Sequence, residues 1–155
     1  MITEMRHPYR VRVSGPAEAK ERAQPVLRAL GQGVFDLGEE PGAANVVKLA
    51  CNCLLAAAIE AMAEAFTLAE KNGIERPRLA ELLAQTVFDC PVYRNYGRQI
   101  AEQRYQPALF KLSLGLKDVS LVLQTAASSK VPMPLAGLLH DHLLAAEAKG
   151  RGTSM

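Results

Sequence analysis

Apolar and polar positions alternate in two short places near the start of the chain and nowhere afterwards. Arg10-Val11-Arg12-Val13 has the period of two that a half-buried strand shows, and Val34-Phe35-Asp36-Leu37 reads as a second short strand. Between them Ser14-Gly15-Pro16 turns the chain, and Pro16 to Leu30 has helical texture, with Pro25 inside it as an expected bend. A strand, a helix and a second strand predict a β-α-β unit with two parallel strands. Two strands alone leave open edges and little buried surface, so the unit reads as a remnant of a larger sheet.

After Gly38-Glu39-Glu40-Pro41-Gly42 the period changes to that of a helix. Ala43 to Lys71 runs without Gly or Pro and is stopped by Asn72-Gly73, where a glycine can take the left-handed conformation that ends a helix. The first half of this run is apolar almost all round, which predicts burial on several sides. Shorter helices follow. One runs from Pro77 to Phe88 with Leu79, Leu82, Leu83 and Val87 inward, and one from Val92 to Gln103 after the break at Asp89-Cys90-Pro91. A third carries Leu112, Leu116, Val119, Leu123 and Ala126. The last starts at Pro134 and turns Leu135, Leu138, Leu139, His142, Leu143 and Ala146 inward. The predicted organisation is a β-α-β remnant over 1–41, an all-α domain over 42–148 and a tail over 149–155.

Composition narrows the function. A 49% apolar fraction supports a packed core, while a net charge of +2 with mixed signs provides no basic stripe for nucleic acid. The most apolar stretch, Leu49 to Ile59, contains Asn52 and stops at Glu60, too short a run to span a bilayer. Met1 to Arg12 has no apolar signal-peptide core, and Cys51, Cys53 and Cys90 form no CxxC pair, so a cytoplasmic protein is expected. His140-Asp141-His142 is no metal motif, because residues two apart on a helix point to different faces. No metal site is expected.

Lys48 is the only charged residue between Glu40 and Glu60, and Asn52 follows it by one helical turn. A lysine and an amide thus project together from an apolar helix. Partial burial would move the ammonium toward neutrality and suit it to proton transfer. Equally, a lysine near a helix start can lay its stem on apolar surface and keep its charge in water. The spacing leaves both readings open.

Gly42-Ala43-Ala44-Asn45-Val46-Val47-Lys48-Leu49-Ala50-Cys51-Asn52 resembles the lysine motif of the β-hydroxyacid dehydrogenases, the family of 3-hydroxyisobutyrate dehydrogenase: a glycine-rich turn, a Lys, then an Asn four residues on. Phe110-Lys111-Leu112 with Lys117-Asp118-Val119-Ser120-Leu121 resembles a second block of that family, and Val131-Pro132-Met133-Pro134-Leu135 its approach to the last helix. The likeness covers about residues 10 to 148. Of the family's three turn glycines only Gly42 matches strictly, with Ala44 and Glu39 at the other places.

The resemblance implies a mainly α fold, similar to the C-terminal domain of 6-phosphogluconate dehydrogenase and preceded by the last β-α-β of a Rossmann domain. It implies hydride transfer between NAD or NADP and a small β-hydroxy acid or aldehyde acid. Lys48 would be the general acid/base, and Asn52 would hold the substrate or the lysine. Phe110 and Asp118 would line the substrate pocket, and Lys117 would face the cofactor. The family's nucleotide-binding G-x-G-x-x-G turn and its Ser-Gly-Gly substrate loop have no counterpart in these 155 residues. A truncated dehydrogenase, inactive alone, is therefore expected, working as a homodimer or with a partner that carries the Rossmann domain. The alternative is a non-catalytic helical dimerisation module that kept its helices and lost its chemistry.

Overall fold

A computed structural model of the chain describes residues 10–108 and 110–151. The elements run in the order β1 (Arg10–Val13), α1 (Ala17–Leu30), β2 (Gly33–Asp36), α2 (Ala43–Lys71), α3 (Arg76–Leu83), α4 (Pro91–Ala101), α5 (Leu112–Ser128) and α6 (Pro134–Ala148). The expectations for the extreme N-terminus and for most of the tail fall on residues 1–9 and 152–155, outside the described residues. The chain divides into two compact units, one ending at Lys48 and the other starting at Leu49.

In the first unit β1 and β2 pair in parallel, Arg10 opposite Gly33 and Val13 opposite Asp36, and form a sheet of two strands. The crossover is α1, which carries Pro25 within it. The turns after the two strands are tied together. Gly15, at φ 132°, donates its N–H to the carbonyl of Gly38 at 3.1 Å, and Gly38 itself has φ 90°. Both positions demand glycine, because L side chains rarely adopt such backbone angles. Lys20 reaches from α1 to the Asp36 carboxylate at 2.7 Å, which holds that carboxyl below its ordinary range, helped by the N–H of Gly38. Within the same unit Ser14 caps the first turn of α2. Its hydroxyl donates to the Pro41 carbonyl at 3.0 Å and accepts the N–H of Ala44 at 3.1 Å. One of the first-turn N–H groups that a helix cannot pair internally is thereby satisfied.

The second unit is helical and is built on two apolar clusters strung along α2. Cys53, Val119, Val122, Ala136 and Leu139 join the N-terminal half of α2 to α5 and α6. Met62, Phe66 and Ile100, with Leu79 and Leu83 packed against them, join its C-terminal half to α3 and α4. Gly97 on α4 faces Met62 and Phe66, and a Cβ there would make ordinary contact with the Met62 sulfur at 3.8 Å.

Three expectations from the pattern need correction. Only Cys53, Met62 and Phe66 of α2 are buried, while Val46, Leu54 and Leu68 stand exposed, so neither half of the helix is covered on several sides: Cys53 packs with α5 and α6, and Met62 and Phe66, about half a turn round from it, pack with α3 and α4. On α3 the apolar set is only partly inward, because the helix stops at Leu83. Leu82 is exposed and Val87 lies beyond the helix at 94% exposure. On α6 it is Ala136 and Leu139 that are buried, with Leu135 and Leu138 exposed. The membrane argument also shifts. Alone among the described helices, α2 is long and apolar enough by length and composition to cross a bilayer. A core helix passes the same test, and α2 contributes to both clusters of its unit.

Candidate functional site

The side chains that the motifs single out are placed by α2, by the approach to α5, and by α5 itself. Asn52 lies on α2 and Asp118 on α5, 66 residues later, and the Asn52 amide Nδ2 donates to Asp118 Oδ2 at 2.5 Å. Asp118 is the one buried charged residue among the described residues, at 8% exposure. The family likeness implied that Asp118 lines a pocket. The structure buries it, because α5 turns Asp118, Val119 and Val122 toward the core together. A buried carboxylate needs donors to replace lost water, and Asn52 is one of them.

Asn52, Asp118 and Phe110 border one cavity of about 190 Å³ within the second unit. Leu55, Ala56 and Ile59 of α2, Leu112 and Gly115 of α5 and Leu143 of α6 make its apolar walls. At the far end stands Glu60, two turns beyond Asn52, with its Oε1 2.7 Å from His142 Nδ1. Glu60, His142 and Gly115 were not picked out as site residues from the sequence. Eight residues separate Glu60 from Asn52, and the interval of two turns on one helix was the signal that could have placed them on a common face.

The two lysines lie elsewhere. Lys48 is exposed on α2, one turn before Asn52, and Lys117 is exposed on α5, next in sequence to Asp118. Neither borders the cavity. The structure thus brings together Asn52, Phe110 and Asp118, and leaves Lys48 and Lys117 at surface positions on the two helices that carry the pair. Cys53 follows Asn52 into the core, and burial pushes its thiol up from the ordinary value. Among the described residues no group of three or more His, Cys, Asp or Glu side chains is arranged to hold a metal ion.

A dinucleotide needs a row of backbone N–H groups at a glycine-rich helix start for its pyrophosphate. The turn from β1 to α1 does not fit that need. Gly15 spends its N–H on Gly38, and the cap residue just before α1 is Pro16, which has no N–H to offer. That turn therefore offers no row of N–H groups to a pyrophosphate.

Residues 42–154 match the protein family described as the NAD-binding domain of NADP-dependent 3-hydroxyisobutyrate dehydrogenase. An uncharacterized oxidoreductase of Bacillus subtilis (strain 168) is 45% identical over 143 residues, which are 92% of this chain and 50% of that protein. An L-threonate dehydrogenase of Cupriavidus necator is 33% identical over 139 residues, 90% of this chain and 46% of that protein. A crystal structure of 3-hydroxyisobutyrate dehydrogenase from Salmonella typhimurium superposes with a TM-score of 0.83 at 28% identity, covering 91% of this chain and 49% of that one. The chain spans about half the length of the relatives it matches. The helical domain, its lysine motif and these matches agree: the chain belongs to the 3-hydroxyisobutyrate dehydrogenase family of NAD(P)-dependent oxidoreductases, and what it carries is that family's helical half.

Proposed function

We propose that this chain supplies the proton-handling half of an NAD(P)-dependent dehydrogenase acting on a β-hydroxy acid or the corresponding aldehyde acid. The observation that carries the reading is the Asn52–Asp118 pair on the lining of an apolar cavity, with Asn52 one helical turn from Lys48 in sequence. Asp118 accepts from one Asn52 amide hydrogen and so orients the amide. The other amide hydrogen and the amide oxygen then face a substrate oxygen from a fixed direction. Lys48 is the general acid/base, giving its proton to the carbonyl oxygen during reduction and taking it from the hydroxyl during oxidation. Phe110 closes one wall and keeps water from that oxygen. Lys117 lies on the cofactor side and contributes a charge toward the dinucleotide.

The hydride itself would come from a bound nicotinamide, whose pyrophosphate the β1-to-α1 turn is not built to hold. That half is provided by a Rossmann domain outside the described residues, in a partner chain or in further sequence. The two-stranded sheet, with its outer edges unpaired among the described residues, is a natural place for such a domain to add strands. A homodimer is the other association we propose, through the exposed apolar stripe of Val46, Leu54 and Leu68 on α2. The three cysteines, none of them in a disulfide, suit a reducing, cytoplasmic setting.

The test is a rebuilt enzyme in which this chain is combined with the nucleotide-binding half of a relative. Lys48→Met is expected to lower turnover about 100- to 10,000-fold while dinucleotide affinity stays within a factor of a few. Unchanged turnover would remove Lys48 from the mechanism. If the rebuilt protein binds no dinucleotide but stays a dimer, the helical half is a dimerisation module.

A further inference from the structure

The cavity behind the Asn52–Asp118 pair is larger and more apolar than a small hydroxy acid requires. Its volume is about 190 Å³. A cavity of about 150 Å³ lined by leucine, isoleucine and phenylalanine holds a benzene molecule, so this one takes a group of that size. Its polar groups stand at the ends. Asn52 and Asp118 lie at one, and Glu60, about 12 Å further along α2 at 1.5 Å per residue, at the other. Between them the wall is Leu55, Ala56 and Ile59 on α2 faced by Leu143 on α6.

Gly115 contributes to the room. It sits inside α5, where alanine would favour the helix more. A Cβ at this position would lie 3.6 Å from the Phe110 ring and 3.9 Å from Leu143, ordinary contact distances. The backbone and its neighbours would accept a methyl group there. Its absence leaves that volume to the cavity, between the aromatic wall and α6.

We propose that this cavity is a specificity pocket, and that the substrate is a β-hydroxy acid, or its oxo form, bearing an apolar substituent of isobutyl to phenyl size. The proposal rests on the reading of Asn52 and Asp118 as the end that meets the substrate's oxygen, and it adds what lies behind that oxygen. The apolar substituent runs along Leu55 and Ile59, between Gly115 and Leu143. A polyhydroxylated chain of equal length is a poor occupant. Each hydroxyl placed against those walls without a partner weakens binding by about ten-fold. Each buried methylene strengthens it by about four-fold.

The experiment is an NMR titration of the isotopically labelled full chain with three acids: 3-hydroxy-3-phenylpropanoate, 3-hydroxybutanoate and 2,3,4-trihydroxybutanoate. The phenyl acid is expected to bind at least ten-fold tighter than the other two, with shifts at Gly115, Phe110 and the Asn52 side-chain amide. Gly115→Ala, a substitution that suits the helix, should cut the phenyl acid's advantage several-fold and leave the affinity of 3-hydroxybutanoate within two-fold. Equal binding of all three acids with shifts at Asn52 would overturn the pocket and leave the role of Asn52 standing. Tight binding of the phenyl acid with shifts at Gly115 and none at the Asn52 amide would support the apolar pocket and overturn the reading of the oxygen-binding end. No shift at Gly115 or Phe110 with the phenyl acid would overturn the proposal outright.

Discussion

The contact between Asn52 and Asp118 joins two helices that are 66 residues apart in sequence, and its energy can be isolated by a double-mutant cycle. Asp118 is 8% exposed and accepts the Asn52 amide at 2.5 Å. A hydrogen bond to a charged acceptor contributes about 1.5–3 kcal/mol, and removing the donor leaves a buried carboxylate with one donor fewer. Asn52→Ala is therefore expected to destabilise the chain by about 2 kcal/mol. Asp118→Ala should cost a similar amount, because it strands the amide and opens space beside Val119. The double variant should cost about 1–2 kcal/mol less than the sum, since the shared bond is lost only once. With a urea slope of about 2 kcal/mol/M, each single substitution moves the unfolding midpoint down by about 1 M, well within the resolution of far-ultraviolet circular dichroism. Additivity within about 0.5 kcal/mol would mean that the two side chains do not interact in solution. The account of Asn52 as an amide oriented by Asp118 would then be wrong.

Three further outcomes are expected. The isolated chain should bind NADH or NADPH no more tightly than about millimolar, because one exposed lysine contributes at most about 1 kcal/mol toward a phosphate; a micromolar dissociation constant by calorimetry would show a nucleotide site in this half. Asp36 should titrate below free aspartate in a carbon-detected NMR experiment and return toward the ordinary range in Lys20→Met. Its folded pKa lies below its unfolded one, so whatever stability the Lys20 contact adds is complete above the unfolded value, near 3.9, and is lost as pH falls through the folded value. Sedimentation equilibrium should show self-association that Leu54→Lys weakens, since Leu54 is 72% exposed on α2; a monomer at every concentration would leave that apolar stripe without a second copy to cover it.

Much of this protein's architecture is local and therefore readable along the chain. The bounds of α2 follow from an uninterrupted helical run between Gly42 and the Asn72-Gly73 stop, and the structure places them at Ala43 and Lys71. The start of α6 at Pro134 likewise follows from local chemistry, a proline being suited to the first turn of a helix. The β-α-β order was visible because the period of alternation changes twice within 40 residues. The lysine motif could be read for the same reason, as Lys48 and Asn52 are one turn apart on one helix.

What the sequence could not decide is which faces of the helices meet. Periodicity says that a helix has an apolar side, but α2 and α6 are apolar around most of their circumference, and on such helices no stripe stands out. Partner geometry then selects Cys53, Met62 and Phe66 over Leu54 and Leu68, and Ala136 and Leu139 over Leu135 and Leu138. The same holds for Asp118. The family likeness put it on a pocket, but local pattern does not say which of the neighbours Lys117 and Asp118 is buried, and only the packing of α5 against α2 turns Asp118 inward to Asn52 and leaves Lys117 in water. The cavity depends on tertiary structure most of all. Gly115, Ile59 and Leu143 are unremarkable residues on three helices, and the space between them exists only once those helices are packed.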